Sequence, residues 1–99
     1  MVRASFDRSV LVLTSLSNGP KHGYALILDI EEFSGTRIGP GTLYGCVAVL
    51  EKAGLVKALP LEGRRRPYQI TAKGTKELRQ RLVESERITS VGLARLALS

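Results

Sequence analysis

The sequence predicts a mainly α-helical fold with a small two-stranded β-hairpin, organised as a winged helix-turn-helix followed by a C-terminal dimerisation helix. Three observations predict it. Apolar residues recur at helical spacing in three short segments. An arginine-rich turn lies between two short β-prone runs. The excess positive charge is confined to that turn and the residues around it.

The elements follow in order. Residues 6–17 form the first helix, because Phe6, Val10, Leu13 and Leu16 recur on one face. Ser5 is its expected N-cap, and Asn18-Gly19-Pro20 ends it. A second helix is expected over residues 23–33, with Tyr24, Ile27, Leu28 and Ile30 on its apolar side and Ser34-Gly35 closing it. A third runs from position 40 or 41 to 53. Leu43, Val47 and Leu50 form its buried stripe, and Gly54 is its C-terminal glycine. Strands follow at 55–59 and 68–70, separated by the polar turn Glu62-Gly63-Arg64-Arg65-Arg66-Pro67. Thr71 is a suitable N-cap for a fourth helix, whose apolar side carries Leu78, Leu82 and Ile88. Gly92 is expected to weaken or kink it. The division that results is a winged helix-turn-helix over residues 1–74 and a dimerisation helix over 75–99.

Bulk properties narrow the function. A chain of 99 residues holds one modest core, which a second subunit often completes. No apolar run approaches the roughly 20 residues of a membrane span. The start MVRASFDRS lacks a signal-peptide core, and the single cysteine, Cys46, has no internal disulfide partner, so the expected compartment is the reducing cytoplasm. Between positions 57 and 81, eight basic residues face only Glu62 and Glu77, and this stretch accounts for the whole net charge of +6. A patch of this kind fits a polyanion, with nucleic acid ahead of an anionic membrane surface.

The layout explains how double-stranded DNA would be read. The major groove accepts one α-helix, and in a helix-turn-helix the second helix of the motif enters it. That helix is the one starting near Pro40. Its outward stripe, Gly41, Gly45, Ala48 and Lys52, is nearly bare and has no Arg, Asn or Gln to read base edges. Contact then falls to Thr42 and Tyr44 at the helix start and to Ala48 against a thymine methyl. On the hairpin, Arg64, Arg65 and Arg66 are expected to spread over backbone phosphates or enter the minor groove.

Three segments resemble one known family. Leu16-Ser17-Asn18-Gly19-Pro20-Lys21-His22-Gly23-Tyr24 looks like the L-x-x-G-P-x-H-G-Y segment of PadR-like regulators. Pro40-Gly41-Thr42-Leu43-Tyr44 with Leu50-Glu51-Lys52-Ala53-Gly54-Leu55 resembles their recognition-helix signature. Gly63 to Arg66, Tyr68, and Ile70-Thr71-Ala72-Lys73-Gly74 resemble their wing and the entry to their last helix. The resemblance implies a homodimeric repressor, palindromic operators and, in some members, a small aromatic effector. It implies phosphate contacts for Tyr24 and Tyr44, and a dimer built from Phe6 and Val10 against the other subunit's Leu78, Leu82 and Ile88. The chain departs from the family pattern at Gly45, where a proline is usual, and at Ala48 and Val49, where charged residues are common.

Other chemistries find little support. His22 has no second histidine beside it, so a local hydrogen-bonding role at the helix start is expected. Cys46 reads as a small packing residue, and Asp29, Glu31 and Glu32 as a solvated helix face. There is no nucleophile–base pair, metal constellation or phosphate loop, so no catalytic residue, metal site or cofactor is expected. The competing reading is a winged-helix protein-interaction module, suggested by the bare recognition helix.

Overall fold

The computed structural model describes residues 7–98. The order is α1 (Arg8–Leu16), β1 (Lys21–His22), α2 (Gly23–Ser34), α3 (Pro40–Lys52), β2 (Val56–Ala58), β3 (Pro67–Ile70) and α4 (Ala72–Leu98). The helix-rich fold with its hairpin is the one expected. The start of α1 differs from expectation. Asp7 is the N-cap, its carboxylate accepting the Val10 amide at 2.9 Å. Ser5 and Phe6, expected as a cap and a dimer contact, lie outside the described residues.

α1 is the hub. It packs against α2, α3, α4 and β3. Val10, Leu11, Val12, Leu13 and Leu16 are all buried, so the helix is covered on nearly every side. Leu26 and Ile30 from α2, and Leu43, Val47 and Leu50 from α3, complete the centre at 2% exposure or less. Ile38 adds to the core from the α2–α3 connector, a segment whose sequence carries no periodic signal of burial. Burying these side chains, at about 1.5–3 kcal/mol each, is the main drive to fold.

The sheet has three antiparallel strands in the order β1-β3-β2. The hairpin pairs Val56 with Ile70 and Ala58 with Tyr68. The added strand, β1, is two residues long and pairs Lys21 with Tyr68 and His22 with Pro67. Two residues are too few to show an alternating pattern, which is why the sequence alone suggests only a hairpin. Lys21 also pins the α1–α2 turn. Its ammonium donates to the Ser15 carbonyl and to Asn18 Oδ1 (2.6 Å), and lies 3.9 Å from Asp29. Asp29 in turn accepts from the buried Ser15 hydroxyl at 2.6 Å. Asp29 is therefore part of an internal network and not of a solvated face. Glu31 pairs with Arg37 at 3.6 Å, and Glu32 is exposed.

The junction between the hairpin and α4 is tightly built. Thr71 caps α4 as expected, accepting the Gly74 amide at 3.0 Å, and its hydroxyl donates to Gly54 O at 2.7 Å. Its own amide donates to Leu55 O. Gly74 lies against that same carbonyl. The helix then runs 27 residues, about 40 Å, and passes Gly92 without a break. Only Gly74 and Leu78 of α4 are buried, so its second half extends away from the core. This gives the molecule its long axis of 56 Å.

Candidate nucleic-acid interface

Three elements meet at the start of α2. Gly23 is buried because the Tyr44 ring of α3 lies directly on it; a β-carbon there would overlap the phenol oxygen and stand 2.5 Å from Cζ. Beside it, His22 caps α2, with Nδ1 3.4 Å from the Ala25 amide, the local role expected of it. On the other side of the ring, Nε2 lies 3.2 Å from Arg65 of the hairpin. Tyr44 thus ties α3 to α2, and Arg65 ties the hairpin to α2. A neutral imidazole accepts through one nitrogen only, so the ring serves one of its two donors at a time.

The residues expected to touch DNA stand on or beside this junction. Tyr24 is 65% exposed and Tyr44 47%. Thr42 and Ala48 are exposed along α3, as are Gly41, Gly45 and Lys52. A β-carbon at Gly41 or Gly45 would meet nothing in the chain, so the bareness of this face has no internal packing cause. α3 begins at Gly39-Pro40 with no side-chain cap, which leaves its first amides available to an anion.

The three wing arginines are not equivalent. Glu62 and Arg65 exchange backbone hydrogen bonds of 2.8 and 3.0 Å around the two-residue tip Gly63-Arg64. Gly63 takes φ +64°, the glycine-first arrangement of a type II′ hairpin turn. Arg66 turns back and donates to Leu59 O at 2.8 Å, and Arg65 reaches His22. Elsewhere in the basic stretch, Lys73 donates to Ala53 O at 2.9 Å, and Arg81 pairs with Glu77 (3.0 Å) and Asp7 (3.7 Å). Among the described residues, Lys57, Arg64, Lys76 and Arg79 have no such partner. Half of the expected patch is therefore engaged by the chain itself. Charge counting cannot reveal this, because it depends on which carbonyls and rings the fold brings near each arginine.

The expected dimer residues divide in the same way. Val10 and Leu78 are buried in the chain's own core, whereas Leu82 and Ile88 are exposed. Ile88 is 71% and Leu93 63% exposed on the second half of α4. Val10, Leu11, Phe33 and Leu82 line a groove of about 280 Å³ where α4 leaves the body. Cys46 packs against the core beside Ser9, 3.9 Å away. Burial pushes its thiol pKa up, partly offset by the Ser9 contact, which suits a packing residue. Among the described residues no cluster could hold a metal, and no helix is long and apolar enough to cross a membrane.

Comparison with known proteins places this geometry. Residues 12–80 match the model of the Transcriptional regulator PadR-like family. The chain belongs to the PadR-like family of transcriptional regulators. This PadR-like chain is 48% identical over 79 residues to an uncharacterised 37.1 kDa protein in transposon Tn4556 of Streptomyces fradiae. That match covers 80% of this chain and 23% of the relative, so the chain spans about a quarter of that protein's length. Its fold is similar to that of a transcriptional regulator from Clostridium thermocellum, with a TM-score of 0.76 and 32% identity over 85% of this chain and 87% of that one. The fold is also shared with Bacillus subtilis PadR, solved in complex with operator DNA. The TM-score is 0.68 at 21% identity, over 76% of this chain and 46% of that one.

Proposed function

We propose that this PadR-like chain is a cytoplasmic, sequence-specific DNA-binding repressor that acts as a homodimer on a palindromic operator. The observation that carries this reading is the junction at Gly23, where the exposed Tyr24, the start of α3 and the arginine wing are joined into one face by Tyr44 and Arg65. In this reading α3 enters the major groove with Ala48 toward the bases. Tyr24, Thr42, Tyr44 and the first amides of α3 hold phosphates, and the wing follows the neighbouring backbone. The Bacillus subtilis PadR that shares this fold was solved on operator DNA, and the same use of the fold is proposed here. The test is selection of binding sites from random duplex DNA, followed by titration in salt. A palindrome should emerge, and affinity should fall roughly 10³–10⁵-fold between about 50 and 200 mM salt, as for 6–10 phosphate contacts. A pool that yields no sequence, with a protein recovered on α3 instead, would favour the interaction-module reading suggested by the bare α3 face and the exposed Val49.

The dimer is supported by the exposed apolar side chains on the second half of α4. Ile88, Val91 and Leu93 are exposed on a helix that has left its core, a state that a partner helix relieves. Replacing Ile88 and Leu93 together by glutamate should give a folded monomer by sedimentation, with half-site affinity only. A variant that stays dimeric would place the interface elsewhere. The groove between Val10, Phe33 and Leu82 is near the lower size limit for a small-molecule site, and it is where a small aromatic effector would be held next to the dimer helix.

A further inference from the structure

We propose that the three wing arginines have separate roles. Of the three, only Arg64 contacts DNA, whereas Arg65 and Arg66 are positioning residues that fix where Arg64 points. This rests on the DNA-binding reading above. Three adjacent arginines look alike in sequence, but the fold treats each differently. Arg66 spans the hairpin and donates to Leu59 O at 2.8 Å, which joins the two arms below the tip. Arg65 reaches out of the hairpin to His22 Nε2 at 3.2 Å and so fixes the angle between wing and α2. Arg64 sits at the second position of the two-residue tip, has no partner among the described residues, and is exposed. A guanidinium that holds a carbonyl or an imidazole keeps other N–H donors, but its head is fixed in place, and turning it toward a phosphate costs that bond. Arg64 surrenders nothing. A tip arginine is also the one that reaches furthest from the body, which is what entry into a narrow minor groove requires.

The arrangement leaves a mark on His22. Accepting from Arg65 needs an unprotonated Nε2, which puts the neutral ring's proton on Nδ1, so that Nδ1 no longer accepts the Ala25 amide. Without Arg65 the ring is free to move its proton to Nε2 and cap α2 through Nδ1. His22 is the sole histidine of the chain, so its ring nitrogens can be followed without ambiguity.

The experiment compares full-length wild type, Arg64→Ala, Arg65→Ala and Arg66→Ala on the selected operator across a salt series, with ¹⁵N spectra of the His22 ring. Counterion release counts the cations that reach the DNA, so Arg64→Ala should lower the log–log salt slope by about one per wing. Arg65→Ala and Arg66→Ala should weaken binding while leaving the slope at the wild-type value. Arg65→Ala alone should move the His22 proton from Nδ1 to Nε2, a change that general loss of stability does not produce. Equal slope losses for all three arginines, or an unchanged slope for Arg64→Ala, would overturn the separation of roles while leaving DNA binding intact. An unmoved His22 proton in Arg65→Ala would overturn the positioning role of Arg65 through His22. A wild-type chain that binds no DNA at any salt overturns this proposal together with the reading on which it rests.

Discussion

Gly74→Ala is expected to lower the melting temperature by on the order of 15 °C. The glycine lies where α4 crosses the residues that open the first hairpin arm. A β-carbon there would overlap the Leu55 carbonyl oxygen and stand 2.8 Å from Ile70 Cγ1. The obstacle is backbone, and that backbone is doubly fixed, because Leu55 O also accepts the Thr71 amide. Relief requires α4 to lift, and lifting it withdraws Leu78 from the core. Overpacking of this kind costs about 3 kcal/mol, and in a domain of this size each kcal/mol moves the midpoint by about 4–8 °C. The clash at Gly23 differs in kind. There the obstacle is the far end of the Tyr44 side chain, which can swing away. Thermal unfolding followed by circular dichroism checks the first expectation; a midpoint within a few degrees of wild type would show that the α4 crossing is not rigid.

Ala48→Asp should reduce operator affinity roughly a hundredfold or more with no change in fold. Ala48 is exposed on the outward stripe of α3, so the new carboxylate disturbs nothing inside the chain but would face phosphates and base acceptors in the groove. Like-charge juxtaposition costs several kcal/mol, and about 2.8 kcal/mol is already a factor of about one hundred. Gly45→Ala is the informative companion. Its β-carbon meets only open space, so removing a helix-interior glycine should stabilise the fold by about 1 kcal/mol. The same methyl would stand between α3 and the groove floor, so DNA binding should fall as stability rises. Opposite signs in the two measurements would show that this face is shaped for close approach. Affinity and stability rising together would mean that α3 does not sit deep in the groove.

The helices and the hairpin were legible because each rests on local signals: apolar periodicity for α1 to α3, and Thr71 and Gly54 at the boundaries. β1 was not, because a strand of two residues is made by its partner Pro67-Tyr68 and not by its own pattern. The bare α3 stripe was readable from spacing. The exposure of Tyr24 was not, because helical periodicity puts it on the apolar side of α2 with Leu28, and both are exposed. The DNA role of the tyrosines rests on the family resemblance. The unequal roles of Arg64, Arg65 and Arg66 were not, because they depend on contacts with Leu59 and His22 that are distant in sequence or set by the turn. Leu78 shares a helical stripe with Leu82, which is why sequence alone groups it with the dimer residues. The fold divides that stripe at the point where α4 leaves the body, burying Leu78 and leaving Leu82 at the rim.

That α1 packs against α4 has a consequence for how the chain is made. α1 cannot complete its cover until the segment around Leu78, beyond the hairpin, has been made. α2 and α3 can pack on α1 earlier, but Val10 and Leu11, which face Leu82 across the groove, stay uncovered on that side until α4 arrives. A nascent chain stalled before α4 would present this apolar face to chaperones and proteases, and not a working DNA-reading head.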